Sequence, residues 1–363
     1  MPAPSASLAM TSALLTWLRE HSSWRDRPLL DRAALTWRAR WGSLNANLSH
    51  AVTGRDSEPA LQDPLLIVGP WRSGTTAMHN LLAAATGYPT PQTWQCMNPS
   101  TFALQGAPRS TGKAAPRPMD GMTVGAFSPQ EDEFALLGLG CPSHYRAFLA
   151  PARIEQMTPL LQQSYWLDDS PWLSNWEWFL RAVLRSAPAE KQQLPLLLKS
   201  PNHTFRLQAI LRRFPASRVI WMARDASEVF HSNRKMWSEM FRLYGTPATC
   251  PTAALDAFLA SALNESARAL TWCSRNLDPS QCVVIPQSQL AADEAVVMRV
   301  LRELWGQDWP GSTPANPDNR LRPHNRVGTA SSDDIPQAAT AAIAALNAAQ
   351  ADAMVTHVPL ALR

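Results

Sequence analysis

The chain is poor in lysine. Only four of its 33 basic residues are lysines (Lys113, Lys191, Lys199 and Lys235), so a lysine at a strand end carries more information than an arginine would. Cysteine is equally sparse: Cys96, Cys141, Cys250, Cys273 and Cys282 are odd in number, scattered, and without a C-x-x-C pair. That argues against a disulfide framework and points to a reducing compartment, the cytoplasm. The eight histidines show no H-x-x-x-H spacing and no cluster with cysteine, so zinc is not expected. No uncharged apolar run approaches the roughly 20 residues of a membrane helix. The short "SALLTWL" stretch lacks a basic region ahead of it and runs straight into "REHSSWRDR", which argues against a cleaved leader. A formal charge of +4 is too mild to announce nucleic acid, yet it favours a small polyanionic ligand.

What the chain does have is repeated strand–turn–helix patterning. With 45% hydrophobic and 17% charged residues over 363 positions, it can bury a large core. "LLIVGPWRSGTTAMHNLL" (65–82), "LPLLLKSPNHTFRLQAILRRF" and "SRVIWMARDASEVFHSNRKMW" each read as a buried strand, a turn and a helix, and "CVVIPQSQL" as a fourth strand followed by a helix from about Ala292 to Trp305. In the third unit, Asp225 and Glu228 have the spacing of an acidic capping box. Strands alternating with helices predict an α/β fold with a parallel sheet, its ligand site at the carboxyl ends of the strands.

Around this unit the sequence predicts a helical extension over 1–60, an α/β domain over 61–328 and an alanine-rich helical tail over 329–363, entered through Ser332. In the extension, Leu14, Leu15, Trp17 and Leu18, then Leu35, Trp37 and Trp41, mark apolar faces. Packing on the main domain is the simplest reading of them; a dimer surface and a membrane-touching face are the alternatives. Residues 105–128 are rich in Gly, Pro and Ser, carry Arg109, Lys113 and Arg117, and read as a long exposed loop. "SPQEDEFALLGLG" reads as a helix entered at Ser128 or Pro129, with three acids in its first turn and Phe134, Leu136 and Leu137 turned inward. Trp166, Trp172, Trp176 and Trp178 read as core, or as the lining of an apolar acceptor pocket.

Three strand ends carry chemistry. The first turn has the two glycines of a nucleotide phosphate loop, Gly69 and Gly74, but Thr75 occupies the place of the lysine such a loop needs. Its backbone N–H groups and the hydroxyls of Ser73, Thr75 and Thr76 still suit an anion at a helix N-terminus, and Arg72 supplies a cation inside the loop. The second strand ends at Lys199, where an ammonium can stabilise charge on a leaving phosphate oxygen. The third ends at Arg224, with Ser232 two helical turns later.

Together, "GPWRSGTTAMHNLL", "SPQEDEFAL" and "LLLKSPNHTFRLQAILRRFPASRVIWMARDASEVFHS" resemble the PAPS-dependent sulfotransferases, in particular the bacterial branch with a K-S-P-x-H motif, over about Pro64 to Gly328. The resemblance implies a P-loop-NTPase-like parallel sheet flanked by helices, and 3′-phosphoadenosine 5′-phosphosulfate (PAPS) as donor, without a metal. It implies that Arg72, Ser73, Gly74, Thr75 and Thr76 bind the 5′-phosphosulfate, that Arg224 and Ser232 bind the 3′-phosphate, and that His324 and Arg326 of "RPHNRVG" close over the nucleotide. Sulfuryl transfer to a hydroxyl or amine of a small, partly apolar acceptor follows, with Arg72 and Lys199 stabilising the bridging oxygen.

The base is open between Glu131, Asp132, Glu133 and His203; Glu131 best matches the acidic position of this branch. Gln95 stands where many relatives place a glutamate, and Pro286, Gln287 and Ser288 replace a common acidic pair. Two other readings compete: an NTP-dependent phosphotransferase, against which the missing loop lysine argues, and a nucleotide-binding interaction protein that has lost its chemistry. The acceptor is not legible in the sequence, and a homo-oligomer stays open.

Overall fold

The computed structural model describes residues 11–21, 24, 28–53, 59–109, 114–117, 121–167, 171–245, 250–293, 295, 301–302, 305 and 335–357. Its centre is a four-stranded parallel sheet of β1 (Leu65–Val68), β2 (Leu197–Lys199), β3 (Arg218–Ala223) and β4 (Cys282–Pro286) in the order β2-β1-β3-β4. Ile67 pairs with both Lys199 and Ile220, and Ala223 with Pro286, so the four carboxyl ends lie along one edge. All of β1 and β2 is buried, and of β3 and β4 only Arg218 and Pro286 are partly exposed. Continuous apolar runs of this kind are what a parallel sheet covered by helices requires.

The helices follow the predicted units. After β1 comes α3 (Thr75–Thr86), bounded by Gly74 and Gly87, both left-handed at φ 97° and 63°. Asp225 accepts a hydrogen bond from the Glu228 N–H at 3.0 Å and caps α6 (Ala226–Tyr244). A short helix not foreseen in the sequence, Gln287–Ala292, follows β4 directly and ends at an extended Asp293. Of the helix predicted from about Ala292 to Trp305, residues 295, 301, 302 and 305 are described and are helical. Helix α7 (Thr252–Asn276) lies between β3 and β4. The C-terminal α8 (Gln337–His357) packs along α7, and Asn347 bonds both the Ala226 N–H and the Asp225 carboxylate. The predicted entry at Ser332 lies outside the described residues.

Before the sheet, α1 (Ser12–His21) and α2 (Leu29–Thr53) form a hairpin sealed by Leu14, Leu15, Leu18, Leu35 and Ala39. The predicted loop over 105–128 contains a short antiparallel ribbon, with Ala115 opposite Val124 and Pro116 opposite Thr123. The acidic segment enters its helix α4 (Glu133–Gly138) four residues later than Pro129. The tryptophan-rich α5 (Pro171–Ser186) is core: Trp166, Trp172, Trp176 and Trp178 are all buried.

Candidate active site

The loop between β1 and α3 is held in a conformation that few side chains tolerate. Gly69 has φ 132°, and a Cβ built there would lie 2.6 Å from the Met222 carbonyl oxygen; Gly74 has φ 97° and packs against Gln287. Among the described residues Arg72 is the one non-glycine with positive φ, at 71°. Its backbone is fixed by Arg224, whose guanidinium donates to the Arg72 carbonyl at 3.0 Å, while its own Nε donates to the Ser232 hydroxyl at 3.1 Å. The side chains expected to face the two ends of a bisphosphate nucleotide are thus joined in one network. A non-glycine residue in this region costs on the order of 1–3 kcal/mol, a strain found mainly at ligand sites.

No side chain caps α3; the Ser73 N–H turns back to Pro70 and the Ala77 N–H to Gly74, which leaves the N–H groups of Gly74, Thr75 and Thr76 to face an anion at the loop. Ser73 is fully buried and its hydroxyl donates to Pro70. Thr75 is buried at the start of the helix, and the Thr76 hydroxyl accepts from the Lys199 ammonium at 3.3 Å. Thr204, directly after the K-S-P-x-H motif, locks the loop from below by donating to the Gly69 carbonyl and accepting from its N–H.

Three consecutive acids meet three basic residues, the last of β2 and two of the segment that follows it. Glu131 accepts from Lys199 at 2.6 Å, Asp132 lies 2.8 Å from His203 Nε2, and Glu133 accepts from Arg206 at 2.7 Å. Their surroundings separate them. Asp132 and Glu133 are fully buried, as are His203 and Arg206. Trp176 donates a second bond to Asp132 at 2.6 Å, and Arg206 lies over the rings of Trp166 and Trp172. Glu131 keeps a little exposure, and its other oxygen accepts from the Tyr145 hydroxyl at 2.7 Å. Of the three acids, it is the one bonded to the lysine that also touches the loop.

The electrostatics follow from burial. Burial lowers the Lys199 pKa against the charge and hydrogen bond of Glu131, and the Arg117 guanidinium of the ribbon lowers it further. Burial and the Glu131 charge push Tyr145 well up, so its hydroxyl stays a donor. Burial pushes Asp132 up, but the charge and hydrogen bond of His203, with Trp176 and Arg206, more than offset this and leave it below the usual range. Glu133 ends above its ordinary value, because Arg206 only partly offsets its burial. Burial, then Lys199, keeps His79 well below its usual pKa beneath the loop.

The structure thus brings together Arg72, Ser73, Gly74, Thr75, Thr76, Lys199, Arg224, Ser232 and Glu131, and places His203 in the buried layer behind them. His324 and Arg326 lie outside the described residues. Gln95 is structural: it bonds the Gln92 N–H and the Ser186 hydroxyl, tying the short Thr93–Met97 helix to α5. Gln287, one of the residues replacing an acidic pair, packs on Gly74 and brings no negative charge to the loop. Tyr145, Thr204 and Arg206 were missed by sequence reasoning. Only Thr204, adjacent to the motif, carried a local signal; the other two bonds span 14 and 73 residues. No group of His, Cys, Asp or Glu among the described residues is arranged to hold a metal ion.

The chain is similar to known proteins in sequence and in fold. The sulfotransferase family model matches residues 64–311. The chain is 30% identical over 201 residues to the omega-hydroxy-beta-dihydromenaquinone-9 sulfotransferase Stf3 of Mycobacterium bovis and of Mycobacterium tuberculosis, a match over 53% of this chain and 50% of theirs. It therefore spans about half the length of the curated relatives it matches. The fold is shared with two crystal structures, each 18% identical in sequence. The sulfotransferase STF1 of Mycobacterium tuberculosis has a TM-score of 0.51, covering 76% of this chain and 74% of that one. STF9 of Mycobacterium avium has a TM-score of 0.52, covering 82% and 83%. With a family match running from the start of β1 past β4, the chain belongs to the sulfotransferase family.

Proposed function

We propose that this chain transfers a sulfuryl group from PAPS to a hydroxyl of an apolar acceptor, with Glu131 as the base and Lys199 as the stabilising cation. The observation that carries the reading is the placement of Lys199, 2.6 Å from Glu131 and 3.3 Å from Thr76, so that one ammonium joins the acid to the anion loop. The residues suit the donor. The uncapped start of α3 and the Arg72 guanidinium would hold the phosphosulfate, and Arg224 with Ser232 the 3′-phosphate.

Chemically, Glu131 takes the proton of the acceptor hydroxyl as the hydroxyl oxygen bonds to sulfur. Lys199 and Arg72 meet the charge that grows on the bridging oxygen as the sulfur–oxygen bond to phosphate breaks, leaving 3′,5′-adenosine bisphosphate. Such a base contributes about 10²–10⁴-fold, and the fixed cations act on charge that exists fully only in the transition state. Asp132, Glu133 and His203 hold Glu131 and the loop in place from behind. The relatives named for an omega-hydroxylated dihydromenaquinone favour an alcohol on an apolar molecule as acceptor.

Calorimetric titration with 3′,5′-adenosine bisphosphate and, separately, ATP with Mg²⁺ tests the donor. The expected outcome is bisphosphate binding that Arg224→Ala weakens strongly, with ATP binding poorly. Preference for ATP would move the protein to the phosphotransferases. Bisphosphate binding without turnover on any alcohol, phenol or amine tried would make it a nucleotide-binding protein without chemistry.

A further inference from the structure

The outer face of α2 is not covered by the rest of the described chain. Leu35 and Ala39 turn inward to α1, whereas Leu30, Trp37, Trp41, Leu44 and Leu48 are 83%, 66%, 51%, 53% and 47% exposed. Their steps of seven, four, three and four residues place all five on one line along the helix, about 27 Å long at 1.5 Å per residue. The Trp37 and Trp41 rings stack, 6.0 Å apart and nearly parallel, and form one broad aromatic surface at its middle. A row of this size is unusual on the surface of a protein that meets only water.

The charges beside the row say what covers it. Arg38 follows Trp37 and Arg40 precedes Trp41, so at 100° per residue one arginine lies on each side of the tryptophan pair. Over the span of the row, Leu30 to Leu48, the helix carries three arginines (Arg32, Arg38 and Arg40) and one acid, Asp31, in its first turn. A second copy laid antiparallel and centred on the row would set each arginine beside its own counterpart, Arg38 by Arg38 and Arg40 by Arg40, like charge on like charge. Phosphate headgroups on both sides of the row complement the arginines instead, while leucine and tryptophan enter the acyl boundary.

We infer that α2 is a docking surface for an anionic lipid bilayer, lying in the interface with its Trp37–Trp41 row inward and Arg38 and Arg40 at the headgroups. The hairpin carrying it is rigidly joined to the site. The Thr11 N–H donates to the Gly138 carbonyl, a side chain at Gly140 would collide with Ala13, and Arg146 covers the Trp17 ring. These contacts fix the hairpin to the end of α4, the helix whose first residue, Glu133, is two positions from Glu131. The inference rests on the surface of α2 and not on the identity of the donor or acceptor.

Flotation of the full chain with vesicles of two parts phosphatidylcholine to one part phosphatidylglycerol, beside pure phosphatidylcholine, tests it. Wild type is expected to float with the anionic vesicles and to release at high salt. Trp37→Ser with Trp41→Ser should weaken this binding by about tenfold or more. Arg38→Gln with Arg40→Gln should weaken it by about tenfold on anionic vesicles and little on neutral ones. Circular dichroism and the melting temperature of each variant establish that it is folded. Three results would overturn the inference: wild type that floats with neither vesicle, a folded tryptophan variant that floats like wild type, or a dimer in solution that the tryptophan variant converts to monomer.

Discussion

The ammonium of Lys199 and the carboxylate of Glu131, 68 residues apart in sequence, meet at 2.6 Å beside Thr76 and the loop between β1 and α3. Next to this contact, His203 meets Asp132 and Arg206 meets Glu133, so two segments are joined by three successive acid–base contacts. Only the outermost pair is near enough to the loop to act on a ligand there; the inner two are sealed in the core.

The lowered pKa of Lys199 gives the reaction an alkaline limb. In the free protein its charge is lost at a pH below that of an ordinary lysine, because burial and Arg117 disfavour it. The profile of kcat/KM, which reports groups of the free enzyme, should therefore fall below the ordinary lysine pKa of about 10.4. Lys199→Arg, whose charge persists, should have lower activity and no such limb. An unchanged limb in that variant would assign it to another group.

Arg72 and Gly69 separate binding from folding. Arg72→Gly removes the strained left-handed residue and its bond to Ser232 together, so stability should change by no more than about 1 kcal/mol. Bisphosphate affinity should nevertheless fall at least about tenfold with the loss of a charge-assisted contact. Gly69→Ala should instead lower the melting temperature, since its new methyl group meets the Met222 carbonyl. Equal binding by wild type and Arg72→Gly would remove Arg72 from the donor site.

The inner pair Glu133–Arg206 is a stability element. Arg206→Ala leaves a buried carboxylate without its partner and empties the slot between Trp166 and Trp172, and should cost about 3–5 kcal/mol. Arg206→Met combined with Glu133→Leu should recover most of that loss, because neither charge is then stranded. A urea-denaturation double-mutant cycle with additive single effects would show that the two side chains act independently.

His144 links stability to acid. It is fully buried among Trp71, Phe205 and Phe258, and burial, with help from Arg206, lowers its pKa from 6.5 to about 3. A base with a depressed folded pKa binds its proton more readily when unfolded. The stability it supports is therefore full above pH 6.5 and is lost progressively as the pH falls toward 3. Between pH 7 and pH 5 the loss should be about 2 kcal/mol. Asp132, also depressed, adds to the loss at lower pH, below the carboxylate range, whereas Glu133 opposes it. His144→Phe should have a flatter acid limb in chemical denaturation; a limb as steep as wild type would show that His144 does not cause it.

Much of the site was legible in sequence because it obeys local rules. The β1 loop needed glycine at two positions of positive φ, and the cap of α6 needed Asp225. β2 and β3 are short apolar runs followed by a turn, so Lys199 at the end of one and Arg224 just past the end of the other could be placed at one sheet edge before any contact was known. The K-S-P-x-H segment was recognisable as a motif, but the separate tasks of its residues and of those just after it were not: Ser200 caps the turn, His203 and Arg206 bind acids, and Thr204 holds Gly69.

The sequence by itself determined the elements, their order and the residues at the strand ends, since hydrophobic period, glycine φ and caps depend on neighbours a few positions away. Only the tertiary structure decided which of Glu131, Asp132 and Glu133 meets Lys199. Adjacent acids have the same local chemistry and differ only in what packs against them from about 70 residues away. It likewise decided that Gln95 fastens two helices and that Trp37 and Trp41 stay outside while Leu35 and Ala39 go in. Burial is a property of the assembled layers, and a helix read alone does not specify which of two apolar faces its neighbours will cover.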